Sequence, residues 1–133
     1  MAPAASYSVL EYLYRDAGNW KTHGAVLLHG VDPEAQDALR ACLDWNAQFV
    51  AEQVLLPALQ DRHWAEHEDE PNTLDHAFHE FVGLRSASTE EVALLADAGN
   101  LEAMLLRFSA AAGHWDVRNS RFYSAGVFLW DAC

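Results

Sequence analysis

Residues 7–30 read YSVLEYLYRDAGNWKTHGAVLLHG, and the alternation inside this stretch decides the fold class. From Tyr7 the side chains divide by parity, with Tyr7, Val9, Glu11, Leu13 and Arg15 in one set and Leu10, Tyr12 and Tyr14 in the other. Successive strand residues point to opposite faces, so the all-apolar second set is expected to face a core. Asp16-Ala-Gly-Asn19 has turn chemistry, and Gly24-Ala-Val-Leu-Leu-His-Gly30 then has the apolar run of a returning strand. The stretch predicts an antiparallel β-hairpin over Ser8 to Leu28.

Outward from the hairpin, residues 1–6 are small and Pro-containing and are expected to be a flexible N-terminus, with a single domain over 7–133. Asp32-Pro33 has the form of a helix start, because Asp can accept from orphan N–H groups and Pro at the first helical position loses no hydrogen bond. Ala35, Leu39, Cys42 and Leu43 follow at helical spacing, which predicts a helix over Pro33 to Asp44. Asn46 to Leu59 fits a helix by propensity or an extended segment closed by Pro57. The acidic run Asp61 to Thr73, broken by Pro71, suggests a short helical turn or loop, and His76 to Leu84 a strand or a short helix.

Ser88-Thr-Glu-Glu91 has capping-box spacing, and Val92, Leu94, Leu95 and Ala96 give that helix an apolar face before Gly99. Asn100 can cap again, with Leu101, Met104, Leu105, Phe108, Ala111 and Ala112 forming an amphipathic stripe that ends at Gly113. Arg121 to Trp130, rich in aromatic and β-branched residues, is expected to be a final strand. The predicted architecture is α+β: an N-terminal antiparallel hairpin, packed helices and a C-terminal strand in a single domain.

Composition narrows function. The chain has 133 residues, enough to bury roughly two-thirds of its unfolded surface. Twenty acids face eight basic residues, a formal net charge of -12, and Lys21 is the one lysine. Binding to a nucleic-acid backbone needs clustered Lys and Arg, so direct nucleic-acid binding is not expected. The two cysteines, Cys42 and Cys133, form no disulfide framework, which suits a reducing cytoplasm. Neither a signal-peptide pattern nor an apolar run of about 18 residues is present, so no membrane association is expected.

Groups able to do chemistry concentrate in His63 to His79, HWAEHEDEPNTLDHAFH, which holds four of the seven histidines. His63-Trp-Ala-Glu-His67 matches H-x-x-E-H, in which two histidines on one helical face bind zinc and the glutamate activates water. A looser set of His63, His67, His76, His79 and Glu80, with Asp75, offers imidazole and carboxylate ligands to a divalent transition metal. The alternative is a set of partly exposed histidines in an acidic loop, their pKa values raised by neighbouring carboxylates. A second candidate is the polar turn of Arg15, Asp16, Asn19 and Lys21, either a ligand site or a turn built by Asp16 and Asn19 with Arg15 paired to an acid. Phosphate-binding loops, CxxC pairs and nucleophile motifs are absent from the sequence.

The segments Tyr12-Leu-Tyr-Arg-Asp-Ala-Gly-Asn-Trp-Lys21, Phe49-Val-Ala-Glu-Gln-Val-Leu-Leu-Pro57 and Asp75-His-Ala-Phe-His-Glu-Phe81 form three landmarks. They resemble those of a family of small bacterial and phage-associated proteins of unknown function. Ala51, Leu55 and Phe78 depart from that pattern, which prefers Pro, Gly and Trp at these places. The resemblance implies a hairpin, a helix and then a more extended middle segment, and it carries no activity. The leading functional expectation is therefore an acidic, non-enzymatic module that binds a protein partner. The alternatives are a divalent-metal-binding protein or metal-dependent hydrolase, and a DNA-mimic inhibitor of a nuclease or defence protein.

Overall fold

A computed structural model describes residues 6–72 and 74–122. The hairpin forms as predicted: β1 (Tyr7–Arg15) pairs antiparallel with β2 (Lys21–His29), in register from Tyr7 opposite His29 to Arg15 opposite Lys21. Around it lies a five-stranded sheet in the order β3-β4-β1-β2-β5, with β3 (Gln48–Val50), β4 (Phe78–Ser86) and β5 (Asp97–Asn100). Where β4 runs antiparallel to β1, the register shifts between Glu11 and Tyr12, leaving Val82 as the extra residue. A bulge of this kind bends the strand and curls the sheet.

Leu10, Tyr12 and Tyr14 do face the main core, together with Val26 and Leu28 of β2, Phe49 and Val54. The helices α1 (Ala35–Arg40) and α4 (Leu101–Ala111) close this side with Leu39, Leu101, Met104 and Phe108. The opposite parity is not left to water: Val9 and Leu27 form a smaller buried cluster with Ala87, against which Val92 of α3 (Thr89–Leu94) packs. A further helix, α2 (Gln60–Glu66), comes so close to the hairpin that a Cβ on Gly24 would lie 2.9 Å from Leu59 Cδ2. Only glycine permits that approach without displacing Leu59.

Several boundaries differ from the sequence expectation. The first helix covers Ala35–Arg40 rather than Pro33 to Asp44, because Asp32 accepts from Glu34 N at 2.9 Å in a local turn and Asp44 is drawn into a bridge with Gln48. Asn46 to Leu59 is not a helix. It contains a 3-10 turn, β3 paired to β4, a second 3-10 turn at Ala51–Val54 and a left-handed Leu55 at φ 60°. Pairing with β4 satisfies backbone groups that a helix would have satisfied internally. His76 to Leu84 resolves toward a strand, beginning at Phe78.

The Ser88–Glu91 capping box forms in full, yet α3 stops at Leu94 instead of running toward Gly99. Leu94, expected on its apolar face, is 81% exposed. The chain then enters β5, parallel to β2, a strand that Asp97-Ala-Gly-Asn100 does not announce because none of these residues favours strands. Asn100 caps α4 through Ala103 N at 3.2 Å, and Leu101, Met104, Phe108 and Ala111 are buried as the stripe predicts. The predicted final strand lies outside the described residues from residue 123 onward. Among the described residues, no helix is long and apolar enough to cross a membrane.

Candidate functional site: a buried aspartate-histidine-aspartate cluster

The closed end of the hairpin carries the site. Its turn is built by Asp16, whose backbone carbonyl accepts from Asn19 N at 2.9 Å and whose Oδ1 accepts from Trp20 N at 3.1 Å. Asn19 takes a positive φ of 73°, a conformation asparagine tolerates well. Holding the turn from inside leaves Asp16 only 3% exposed, with Oδ2 directed at His63.

His63 lies on the inward face of α2 and is 0% exposed. Its Nε2 donates to Asp16 Oδ2 at 3.1 Å, and its Nδ1 is 2.9 Å from the hydroxyl of Thr22, itself buried on β2. Asp75 completes the group from the loop before β4. Its Oδ1 accepts from the Tyr14 hydroxyl at 2.6 Å, and its Oδ2 accepts from Trp64 Nε1 and Asn72 N, each at 2.9 Å. One ligand-type atom from each of Asp16, His63 and Asp75 lies within 4.8 Å of the others.

Tyr14 is the aromatic centre of this end, with the rings of His63, His76 and His79 at 4.8, 5.2 and 5.6 Å. Burial and the bond to Asp75 push the Tyr14 phenol well above its ordinary pKa, so its proton stays in place and donates.

The five sequence-predicted metal ligands divide. His63 and His67 do share one face of α2, with rings 4.6 Å apart, but His67 Nε2 donates outward to Lys21 O at 3.0 Å. His76 has both nitrogens occupied, Nε2 donating to Arg15 O at 2.7 Å and Nδ1 accepting from Phe78 N at 3.0 Å. His79 is likewise filled, Nε2 accepting from Leu59 N at 3.0 Å and Nδ1 facing Ala77 O at 3.3 Å. Glu80 points the other way and pairs with Arg15 Nε at 2.8 Å. Of the five, His63 alone joins the cluster.

Nor do the four histidines form one partly exposed set in an acidic loop, since only His67 and His76 are half-buried. His63 and His79 are fully buried. Burial lowers the pKa of His76 despite the nearby Asp75, Glu80 and Asp16 charges, and takes His79 down to about 3. Desolvation outweighs carboxylate proximity here because the rings sit against Tyr14, Tyr12 and Phe49 rather than in water.

The polar turn set divides too. Arg15 pairs with Glu80 and with the Asn19 side chain, Lys21 is exposed, and Asp16 turns inward. The cluster therefore draws Asp16 from one expected set and His63 and Asp75 from another. Asp16 and His63 are 47 residues apart, and nothing in their local sequence marks that they meet.

Thr22, His63 and Asp16 have the order of a hydroxyl, a base and an orienting carboxylate. Thr22 is 1% exposed, so no substrate can reach its hydroxyl in this conformation. The group brings one imidazole and two carboxylates together, a donor set of the kind that suits a transition cation.

Above the cluster lies a surface. Trp20 is 62% exposed and Leu74 43%, and a Cβ on Gly18 would meet both, at 3.5 and 3.2 Å. The two loops are joined by Ala17 N donating to Leu74 O at 2.9 Å. The His67 ring packs on Trp20 at 5.4 Å, which places the exposed Glu68, Asp69 and Glu70 next in the chain beside this patch. Comparison with known proteins found no matching family model, curated protein or solved structure.

Proposed function

We propose that the chain is an acidic, non-enzymatic interaction module that binds a basic face of a protein partner. The observation that carries this reading is the meeting of exposed Trp20 and Leu74 over Gly18, beside the acidic run Glu68 to Glu70. Tryptophan is enriched among residues that dominate interface energies, and an apolar anchor with a charged rim is the usual anatomy of such a surface. The formal charge of -12 favours a basic partner through long-range attraction.

Mimicry of a nucleic-acid backbone draws less support, because Glu80, Glu66, Glu11, Glu91, Asp116 and Asp61 are each paired with an arginine. Such pairing interrupts an array of bare negative charges.

The test is affinity capture with the wild-type protein and with a Trp20→Ala, Leu74→Ala double variant as parallel baits. Proteins held by the wild type at low salt, released near 0.5 M salt and missing from the variant are expected. An identical set on both baits, or none on either, would refute the reading. For an identified partner, loss of a Trp anchor should weaken binding by roughly 30-fold.

A further inference from the structure

The Asp16, His63 and Asp75 group buries two carboxylates, 3% and 6% exposed, around an imidazole that is wholly inside. Among the described residues, neither carboxylate is paired with Arg or Lys: Asp16 has His63 and Trp20 N, and Asp75 has Tyr14, Trp64 and Asn72 N. Buried carboxylates require compensation, and here hydrogen-bond donors and the His63 ring supply it without a fixed cationic side chain.

The outer contacts have a pattern of their own. Trp20 N holds Asp16 by Oδ1, Thr22 holds His63 by Nδ1, and Tyr14, Trp64 and Asn72 hold Asp75. Each residue is thus oriented from outside, while Asp16 Oδ2 and His63 Nε2 face each other at 3.1 Å. Two ligands each about 2.0–2.1 Å from a tetrahedral ion lie roughly 3.3 Å apart, close to that separation. Metal-bound imidazoles and carboxylates are characteristically held by such outer hydrogen bonds.

We propose that Asp16, His63 and Asp75 bind one divalent transition cation of the Zn²⁺ class. One imidazole and two carboxylates suit Zn²⁺ or Mn²⁺, and the imidazole disfavours Ca²⁺ and Mg²⁺. On binding, the ion takes the place of the His63 Nε2 proton, which passes to solvent. The neutral ring then carries its proton on Nδ1 and donates to Thr22 Oγ1. Asp16 ties the ion to the turn that displays Trp20, and Asp75 ties it to the loop that displays Leu74. The cation is structural: it crosslinks the hairpin turn, α2 and the loop before β4. The inference does not depend on the partner-binding reading, since the ligands lie beneath that surface.

The test uses untagged full-length protein, refolded from denaturant with ZnCl₂ or MnCl₂, dialysed, and measured for metal content and thermal midpoint. The wild type should hold about one ion per chain and gain about 5 °C or more in midpoint over protein refolded in EDTA. Asp16→Asn keeps an oxygen for Trp20 N, and it and Asp75→Asn should each cut retained metal at least five-fold with circular dichroism unchanged. His67→Ala should retain the ion. Less than a tenth of an ion in the wild type would overturn the proposal, whether or not the variants fold. So would equal retention in Asp16→Asn and Asp75→Asn, or loss in His67→Ala alone. Trp20→Ala with Leu74→Ala should leave metal content unchanged, which separates this result from failure of the docking surface.

Discussion

Two histidine-aspartate contacts sit at opposite ends of the same hairpin and differ in almost everything except chemistry. At the closed end, His63 and Asp16 are 0% and 2% exposed in their side chains, and each has further partners fixing its orientation. At the open end, the side chains of His29 and Asp97 are 47% and 55% exposed, one at the close of β2 and the other at the start of β5. In water a histidine-carboxylate contact adds little, because solvent competes for both partners and screens their charges. Inside, the same contact becomes part of a network in which losing one member strands the others. Burial, more than pairing, makes the closed end a candidate site.

Breaking the closed end should have the largest effect. Asp75→Ala removes the acceptor for Tyr14, Trp64 and Asn72 together, and stranding buried donors should cost about 3–5 kcal/mol. Urea unfolding would measure it, and a loss under about 1 kcal/mol would show that water replaces the carboxylate and that this end of the hairpin is open to solvent.

The buried histidines sharpen the contrast through pH. Folded His79 has its pKa pulled down from 6.5 to about 3 by burial, so as the pH falls below 6.5 the unfolded chain takes up a proton that the folded chain refuses. Its contribution to stability is complete above about pH 6.5 and is lost as the pH drops toward 3, amounting to about 2 kcal/mol by pH 5. His76, also lowered, acts in the same direction. Unfolding free energies at pH 7.5 and 5 should therefore fall more steeply for the wild type than for His79→Gln, and parallel slopes would remove His79 as the cause.

The smallest effect belongs to the open end. His29→Ala should leave the urea midpoint within measurement error, since Asp97 keeps its bond from Gly99 N at 2.7 Å and the histidine is solvated. A clear destabilisation would mean that the packing of Tyr7 on His29, with centroids 4.8 Å apart, matters more than the charge pair.

Features legible in the sequence were those whose cause is local. Leu10, Tyr12 and Tyr14 marked the core face of β1 by alternation, Ser88 and Glu91 marked a helix start by a spacing of three, and Asn100 with Met104 and Phe108 marked α4. The concentration of chemistry in His63 to His79 was legible as well, because residue identity needs no fold. Asp97–Asn100 was not legible as a strand, since it is held by its neighbour β2 rather than by its own side chains.

The same division applies to the site. By itself the sequence determined the α+β class, the hairpin, the acidic balance and the supply of histidines and carboxylates, all of which follow from periodicity and composition. The tertiary structure alone decided that His76 and His79 spend their nitrogens on backbone partners, that Glu80 turns to Arg15, and that Asp16 crosses 47 positions to meet His63. The physical reason is that burial and orientation depend on which elements pack together. Here α2 settles on Gly24 and Thr22 of β2, bringing His63 against the hairpin turn.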